Sequence, residues 1–289
     1  MADFKPFEEK IDYLERPTLV SMTYPGTGET VRVLEGKRAI VTGGGKGIGK
    51  GISIRLAEAG ASVVIVGNSN MTMAEETRAL IEKRGGKAYT IGIDLAKPES
   101  AAKVVAFAVE KMGGIDILVN NAAFQPNMDV TEYSKELFQS VIDVNLISYL
   151  RMTMEALPWL KESGEGRIVN VGSVHSKRPT GFDFAYATSK GGVGMLTRET
   201  AAAYRRFGIT ANTILPGGTN IEFKSGEAGM EKPNQIRTVR IARDREFQPA
   251  GYRYGFPSDT ANLTVFFASK LGEHYNGCAV RADGGMVLF

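Results

Sequence analysis

Thr42-Gly43-Gly44-Gly45-Lys46-Gly47-Ile48-Gly49 separates a short apolar run, Ala39-Ile40-Val41, from a stretch with apolar residues at helical spacing: Ile48, Ile52, Ile54, Leu56 and Ala57. Strand, glycine loop and helix in that order let a backbone stripped of Cβ atoms approach a pyrophosphate while the helix N-terminal amides face the anion. Taken alone, the same glycines could serve only a tight strand-to-helix turn.

The alternation continues along the chain. Residues 62–66 read as a strand, 71–84 as a helix, 87–93 as a strand, 100–112 as a helix and 115–119 as a strand. A long helix is expected over 135–161, strands over 167–171 and 209–215 with a second long helix over 186–207 between them, then a helix over 258–269 and a strand over 279–282. The strand segments are nearly continuous in apolar and β-branched residues, as expected for parallel strands covered on both faces. The pattern predicts an α/β fold: one doubly wound Rossmann-type domain over residues 35–289, with a mostly parallel seven-stranded sheet and helices on both faces. Residues 1–34, with Pro6, Pro17 and Pro25 and no sustained period, read as an N-terminal arm. Residues 219–256, mixed, charged and glycine-bearing, read as a substrate lid, since long loops in compact domains are usually functional or disordered.

Of the 289 residues 43% are hydrophobic and 23% charged, an ordinary globular composition. A formal charge of +3 with interspersed signs gives no polyanion-binding stripe, so nucleic acid is not expected as a partner. Cys278 is the only cysteine, which excludes an intrachain disulfide and a cysteine–histidine zinc cluster, and no metal is expected. Asp3, Glu8, Glu9, Asp12 and Glu15 contradict a signal peptide, and no apolar run approaches the roughly 20 residues that span a bilayer. The expected location is the cytoplasm, with no membrane partner.

Gly43, Gly47 and Gly49 are spaced one residue wider than the G-x-G-x-x-G fingerprint. This TGGGKGIG run resembles the short-chain dehydrogenase/reductase family in its compact form. The resemblance extends from about Gly36 to Met286: Asp94 ends the third strand, Asn120-Asn121-Ala122-Ala123 is close to the family's N-N-A-G with Ala123 in place of glycine, Pro216-Gly217 follows the sixth strand, and Asp283-Gly284-Gly285 comes near the end. It implies a nicotinamide dinucleotide held by Gly43, Gly45, Lys46, Gly47, Ile48 and Gly49 of the loop, and by Asn68 and Ser69 after the second strand. Asp94 and Leu95 would lie near the adenine, with Asn121, Ala122, Pro216, Gly217 and Thr219 further along. Thr219 stands closer to Pro216-Gly217 than the family's carboxamide-binding threonine usually does, and Ile221 is nearer the expected place. No carboxylate occupies Val66-Gly67-Asn68-Ser69-Asn70, where one would bind a ribose 2′-OH and repel a 2′-phosphate. With Lys46 in the glycine loop this favours NADP, and NAD stays open because no arginine follows the second strand.

Tyr186 and Lys190, four apart, share one helix face. A tyrosine is a poor base at neutral pH, and a nearby ammonium stabilises its phenolate. Alone, such a pair is more often a surface pair. Ser173 ends the fifth strand at the carboxyl edge, where open α/β sheets place ligands, although a serine there could simply start a turn. The thirteen-residue interval from Ser173 to Tyr186 is the family's. By resemblance Tyr186 is the acid/base, Lys190 its tuner and also a cofactor contact with Tyr186, Ser173 polarises the substrate oxygen, and Asn145 supports a water linking Lys190 to solvent. An asparagine inside a helix is locally unfavourable, so its presence suggests a function or an exposed site.

The resulting expectation is an NAD(P)-dependent oxidoreductase moving a hydride between a nicotinamide and a secondary alcohol or ketone. The alternative is a catalytically idle redox sensor or scaffold. Phe124, Gln125, His175, Phe182, Phe184 and parts of the lid are candidate substrate contacts. Arg237, Arg240, Arg243 and Arg245 read as a solvated, salt-bridged lid helix more than as an anion site. The resemblance further implies a homotetramer or dimer built on the two long helices, with the arm lying across a neighbour.

Overall fold

A computed structural model describes residues 20–23, 30–181, 183–221 and 254–287. The lid positions between 222 and 253, including the four arginines, lie outside the described residues, as does Phe182. Where the sequence shows no period, β1 (Ser21–Thr23) and β2 (Thr30–Arg32) pair as an antiparallel hairpin. The hairpin leads into Leu34, which is buried and whose N–H donates to the Ala59 carbonyl at 2.8 Å.

Seven parallel strands follow: β3 (Arg38–Thr42), β4 (Ser62–Gly67), β5 (Lys87–Gly92), β6 (Ile117–Asn120), β7 (Arg167–Val171), β8 (Thr210–Pro216) and β9 (Ala279–Ala282). Their order is β5-β4-β3-β6-β7-β8-β9. β3 pairs with both β4 and β6, so the winding reverses there and opens a crevice at the carboxyl ends of β3 and β6. Alternate residues of each strand feed opposite faces. Ala39 and Val41 join one apolar cluster with Ile52, Leu56 and Val265, while Ile40 joins the other with Val104, Met152 and Leu160. The apolar runs are continuous because both faces are cores.

The first cluster draws on α1 (Gly47–Glu58), α2 (Thr72–Lys83) and α7 (Pro257–Ala268), and the second on α3 (Ser100–Met112), α5 (Ser148–Glu162) and α6 (Phe184–Tyr204). The helix expected over 135–161 is divided. α4 (Lys135–Ile142) passes into α5 through a π-helical turn, Asp143–Ile147, with Asn145 at its middle. Such turns insert one residue and often mark functional sites.

Two polar devices fix the register. Arg38 grips Asp116 with Nε at 2.8 Å and a terminal nitrogen at 2.9 Å, and its backbone N–H adds a third bond at 2.9 Å, tying β3 to the start of β6. Under α6, Asn120 Nδ2 donates to Asn170 Oδ1 at 2.9 Å, Asn170 Nδ2 donates to Thr197 Oγ1 at 2.9 Å, and Thr213 Oγ1 donates to Thr197 Oγ1 at 2.7 Å. These side chains are buried and bonded to one another, which holds α6 at one setting on β6, β7 and β8.

Candidate active site

The glycine loop leaves β3 at Thr42. Gly43 has φ +63°, a left-handed conformation suited to glycine, and a Cβ on Gly49 would lie 2.0 Å from the Gly43 carbonyl oxygen. The turn therefore closes only on bare backbone. Lys46, the N-cap of α1, makes no side-chain capping bond, so its side chain leaves the first-turn amides of Gly47, Ile48 and Gly49 to other acceptors. Gly45 backs onto Ala74 of α2, where a Cβ would meet backbone at 2.8 Å. A helix start that its N-cap side chain leaves open, behind a glycine-rich loop, fits a pyrophosphate.

Asn121 and Ala122 meet the loop through Thr42, the first residue of the glycine run. Thr42 Oγ1 accepts the N–H groups of Asn121 at 2.8 Å and Ala122 at 3.1 Å, and Asn121 Nδ2 donates to the carbonyls of Thr42 at 2.9 Å and Gly43 at 3.2 Å. Asn121 thus acts on the loop itself, fixing its exit direction. At the end of β4, Asn68 and Ser69 are exposed with Lys46. Asp94 is partly buried and turns inward, accepting the Ala96 N–H at 3.0 Å, and Leu95 is buried. After β8, Gly217 packs where a Cβ would sit 2.8 Å from Asp283, and Thr219 Oγ1 folds back onto the Gly217 carbonyl at 3.2 Å. Ile221, rather than Thr219, reaches the glycine loop: its side chain lies 3.5 Å from a Cβ position on Gly47.

Ser173, Tyr186 and Lys190 come together at the carboxyl end of β7. Ser173 caps a 3-10 turn, accepting the His175 N–H at 3.1 Å, and its hydroxyl is near enough to Tyr186 to favour the ionised phenol. The turn-starting reading of this serine is therefore observed. Burial pushes the Tyr186 phenol up to about 12, and Ser173 opposes that rise. Tyr186 as a whole remains partly exposed. Lys190 is 1% exposed, and burial pushes its amine down to about 7. Its Nζ lies 5.7 Å from the Tyr186 ring centre but donates elsewhere, to the Val171 carbonyl at 2.7 Å and to the Tyr149 hydroxyl at 3.1 Å.

Asn145 is fully buried, which removes the exposed-site reading. Its amide clamps the loop after β6, accepting the Phe124 N–H at 3.0 Å and donating to the Phe124 carbonyl at 2.9 Å. Phe124 is exposed by 39%, as is Phe184 by 38%. His175 packs edge-on against Tyr186 at 5.8 Å, and its Nδ1 is 3.0 Å from Asp183, a buried carboxylate. Asp183 and Tyr149 were not read from the sequence: an aspartate before a helix looks like a cap, and an aromatic in an amphipathic helix looks like core. A hydroxyl, a phenol and an amine converging at one strand end can polarise an oxygen and exchange its proton.

The family profile described as short chain dehydrogenase matches residues 37–231. The chain is 32% identical over 262 residues to glucose 1-dehydrogenase 2 of Bacillus subtilis (strain 168), covering 89% of this chain and 96% of that protein. It is 35% identical over 257 residues to 3beta-hydroxysteroid dehydrogenase 1 of Eggerthella lenta, covering 89% and 95%. Among solved structures, a short chain dehydrogenase from Burkholderia cenocepacia J2315 in complex with NADP superposes with a TM-score of 0.78 at 32% identity, covering 88% of this chain and 99% of that one. A parallel sheet wound outward from β3, a glycine turn and the Ser173–Tyr186–Lys190 cluster agree with that kinship, and the chain belongs to the short-chain dehydrogenase family of oxidoreductases.

Proposed function

We propose that this protein interconverts a secondary alcohol and a ketone with NADP(H), using Tyr186 as the acid/base. The observation that carries the reading is the convergence of Ser173, Tyr186 and Lys190 at the carboxyl edge of β7, where Lys190, one helical turn after Tyr186, lies 5.7 Å from its ring centre and donates to the Val171 carbonyl at 2.7 Å. The loop from Gly43 to Gly49 and the residues after β4, β5, β6 and β8 would hold the dinucleotide. When bound, its nicotinamide supplies or accepts the hydride. Ser173 then orients the substrate oxygen, Tyr186 Oη gives or takes its proton, and Lys190 favours the ionised phenol. Asn145 keeps the Phe124 loop in place beside them. Support for NADP comes from the absence of a carboxylate over Asn68-Ser69-Asn70, with the exposed Lys46 in the neighbouring loop.

The test is Tyr186→Phe assayed at the reduced-nicotinamide band with NADP and NAD against D-glucose, a 3β-hydroxysteroid and a series of simple secondary alcohols. Turnover should fall at least about a thousandfold with NADP binding retained, within the range by which general acid–base groups contribute. Near-normal turnover refutes the acid/base role.

A homo-oligomer is part of the proposal. Leu150 and Met154 lie one turn apart on α5, Met154 being 60% exposed, and Met195 on α6 is 51% exposed. Apolar side chains at that exposure on the two long helices suit a covered face.

A further inference from the structure

We propose that Tyr149 is a positioning residue for Lys190: its buried hydroxyl accepts a hydrogen bond from the Lys190 ammonium, holds that ammonium against the Val171 carbonyl, and so sustains the positive charge beside Tyr186. The inference rests on the acid/base reading of Tyr186 and adds a residue to it. Tyr149 lies on α5, four residues after Asn145, and is fully buried. Its hydroxyl receives Lys190 Nζ at 3.1 Å and donates to the Val171 carbonyl at 3.3 Å, and Nζ donates to the same carbonyl at 2.7 Å. Lysine nitrogen, phenol oxygen and carbonyl oxygen thus form a closed triangle. Nζ also lies 5.0 Å from the Tyr149 ring centre and 5.7 Å from that of Tyr186, so both aromatic rings are close to the cation.

Among the described residues no carboxylate contacts Lys190. The other ionisable groups nearby are Tyr186 on the same helix and, beyond it, Asp183 and His175. A buried ammonium without a counter-ion depends on neutral acceptors for its charge, and here they are one carbonyl and one phenol. Tyr149 can serve only as a dipole, because burial and the neighbouring Tyr186 hold its phenol un-ionised well above the usual tyrosine range. A lysine ammonium has three protons, and two are directed by this triangle. The amine is therefore aimed before cofactor or substrate arrives.

Removing the acceptor favours the neutral amine. The ammonium is the form that accompanies the Tyr186 phenolate, so without the Tyr149 acceptor that ion pair is less favourable and Tyr186 ionises at higher pH. In Tyr149→Phe, the rising limb of kcat/KM against pH for alcohol oxidation should move up by about half a unit to one unit, the scale of one hydrogen bond to a charged group. Oxidation is expected to be about three- to tenfold slower at pH 7 and to recover towards pH 10. A purely structural role would lower the rate equally at every pH. Ser148→Ala, on the same helix with its hydroxyl bonded to the Val144 carbonyl at 2.6 Å, should leave the limb in place.

If the Phe variant does not fold, protein carrying 3-fluorotyrosine at position 149 keeps ring and hydroxyl while weakening the oxygen as an acceptor, and should shift the limb the same way by less. A limb unmoved in the folded position-149 proteins overturns the proposal. The profiles use NADP and the best-turned-over alcohol of the panel above. Tyr186→Phe run alongside separates the two failures. Retained turnover there sinks the acid/base reading itself, whereas lost turnover with an unmoved limb sinks only the role of Tyr149.

Discussion

Lys190 should cost the fold stability, and the cost should depend on pH in a way that identifies its cause. Burial moves the amine from its ordinary 10.5 to about 7. At about 1.4 kcal/mol per tenfold change in proton affinity, the charged side chain is roughly 5 kcal/mol less favourable in the folded protein than in the unfolded one. Below pH 7 the lysine is charged in both states and that cost is constant. Between about 7 and 10.5 the unfolded state binds more protons than the folded state, so wild-type stability rises with pH through this window. By pH 9 only about 2 kcal/mol of the penalty remains, by the same conversion. Lys190→Met removes the titrating group, keeps an unbranched apolar side chain of similar length, and leaves the Val171 carbonyl its bond from Tyr149. The variant should be more stable than wild type at pH 6, and its advantage should shrink by about 3 kcal/mol at pH 9. That is roughly 6–12 °C in Tm for a domain of this size. Calorimetry or guanidinium unfolding of both proteins at the two pH values measures it, with turnover lost in the variant throughout. A variant less stable than wild type at pH 6, or one with the same advantage at both pH values, would refute the argument that burial without a counter-ion governs this lysine.

Other expectations follow from single contacts. Gly49→Ala places a Cβ 2.0 Å from the Gly43 carbonyl oxygen and 2.5 Å from Asn121 Nδ2; the loop must open, so NADP binding measured by fluorescence should be lost with about 2–3 kcal/mol of stability, and retained affinity would contradict the close-turn account. Asp116→Ala strips Arg38 of its carboxylate and should lower stability by about 2–3 kcal/mol in guanidinium unfolding, while cofactor affinity, set at the opposite strand ends, stays within about twofold. Met154→Glu should shift the light-scattering mass towards monomer by placing charge on the exposed face of α5, and an unchanged oligomer would move the interface elsewhere.

The sequence by itself determined the fold, because its signals are local: apolar runs of strand length, helical periods between them, and a glycine turn at the first junction. Continuous rather than alternating strands already required helices on both faces, and β3 to β9 form that sheet. That Tyr186 and Lys190 share one helix face was legible because helix geometry fixes what a separation of four residues means, while their roles came through resemblance. Ser173 and Asn145 were placed through resemblance, and tertiary structure decided what they touch. Asn145 could be read as functional or exposed until the π-helical turn buried it against the Phe124 backbone. Asp183 beside His175 and Tyr149 under Lys190 carry no sequence signal, and Thr42, though part of the quoted glycine run, gave no sign of its bonds to Asn121 and Ala122, because each is defined by a partner on another element. Lys190 shows the division most plainly. Sequence put its amine on the face of Tyr186, and only the packing of α5 and β7 against α6 aimed it at Tyr149 and Val171. That choice is made by desolvation, which depends on everything folded around the amine and so has no one-dimensional trace.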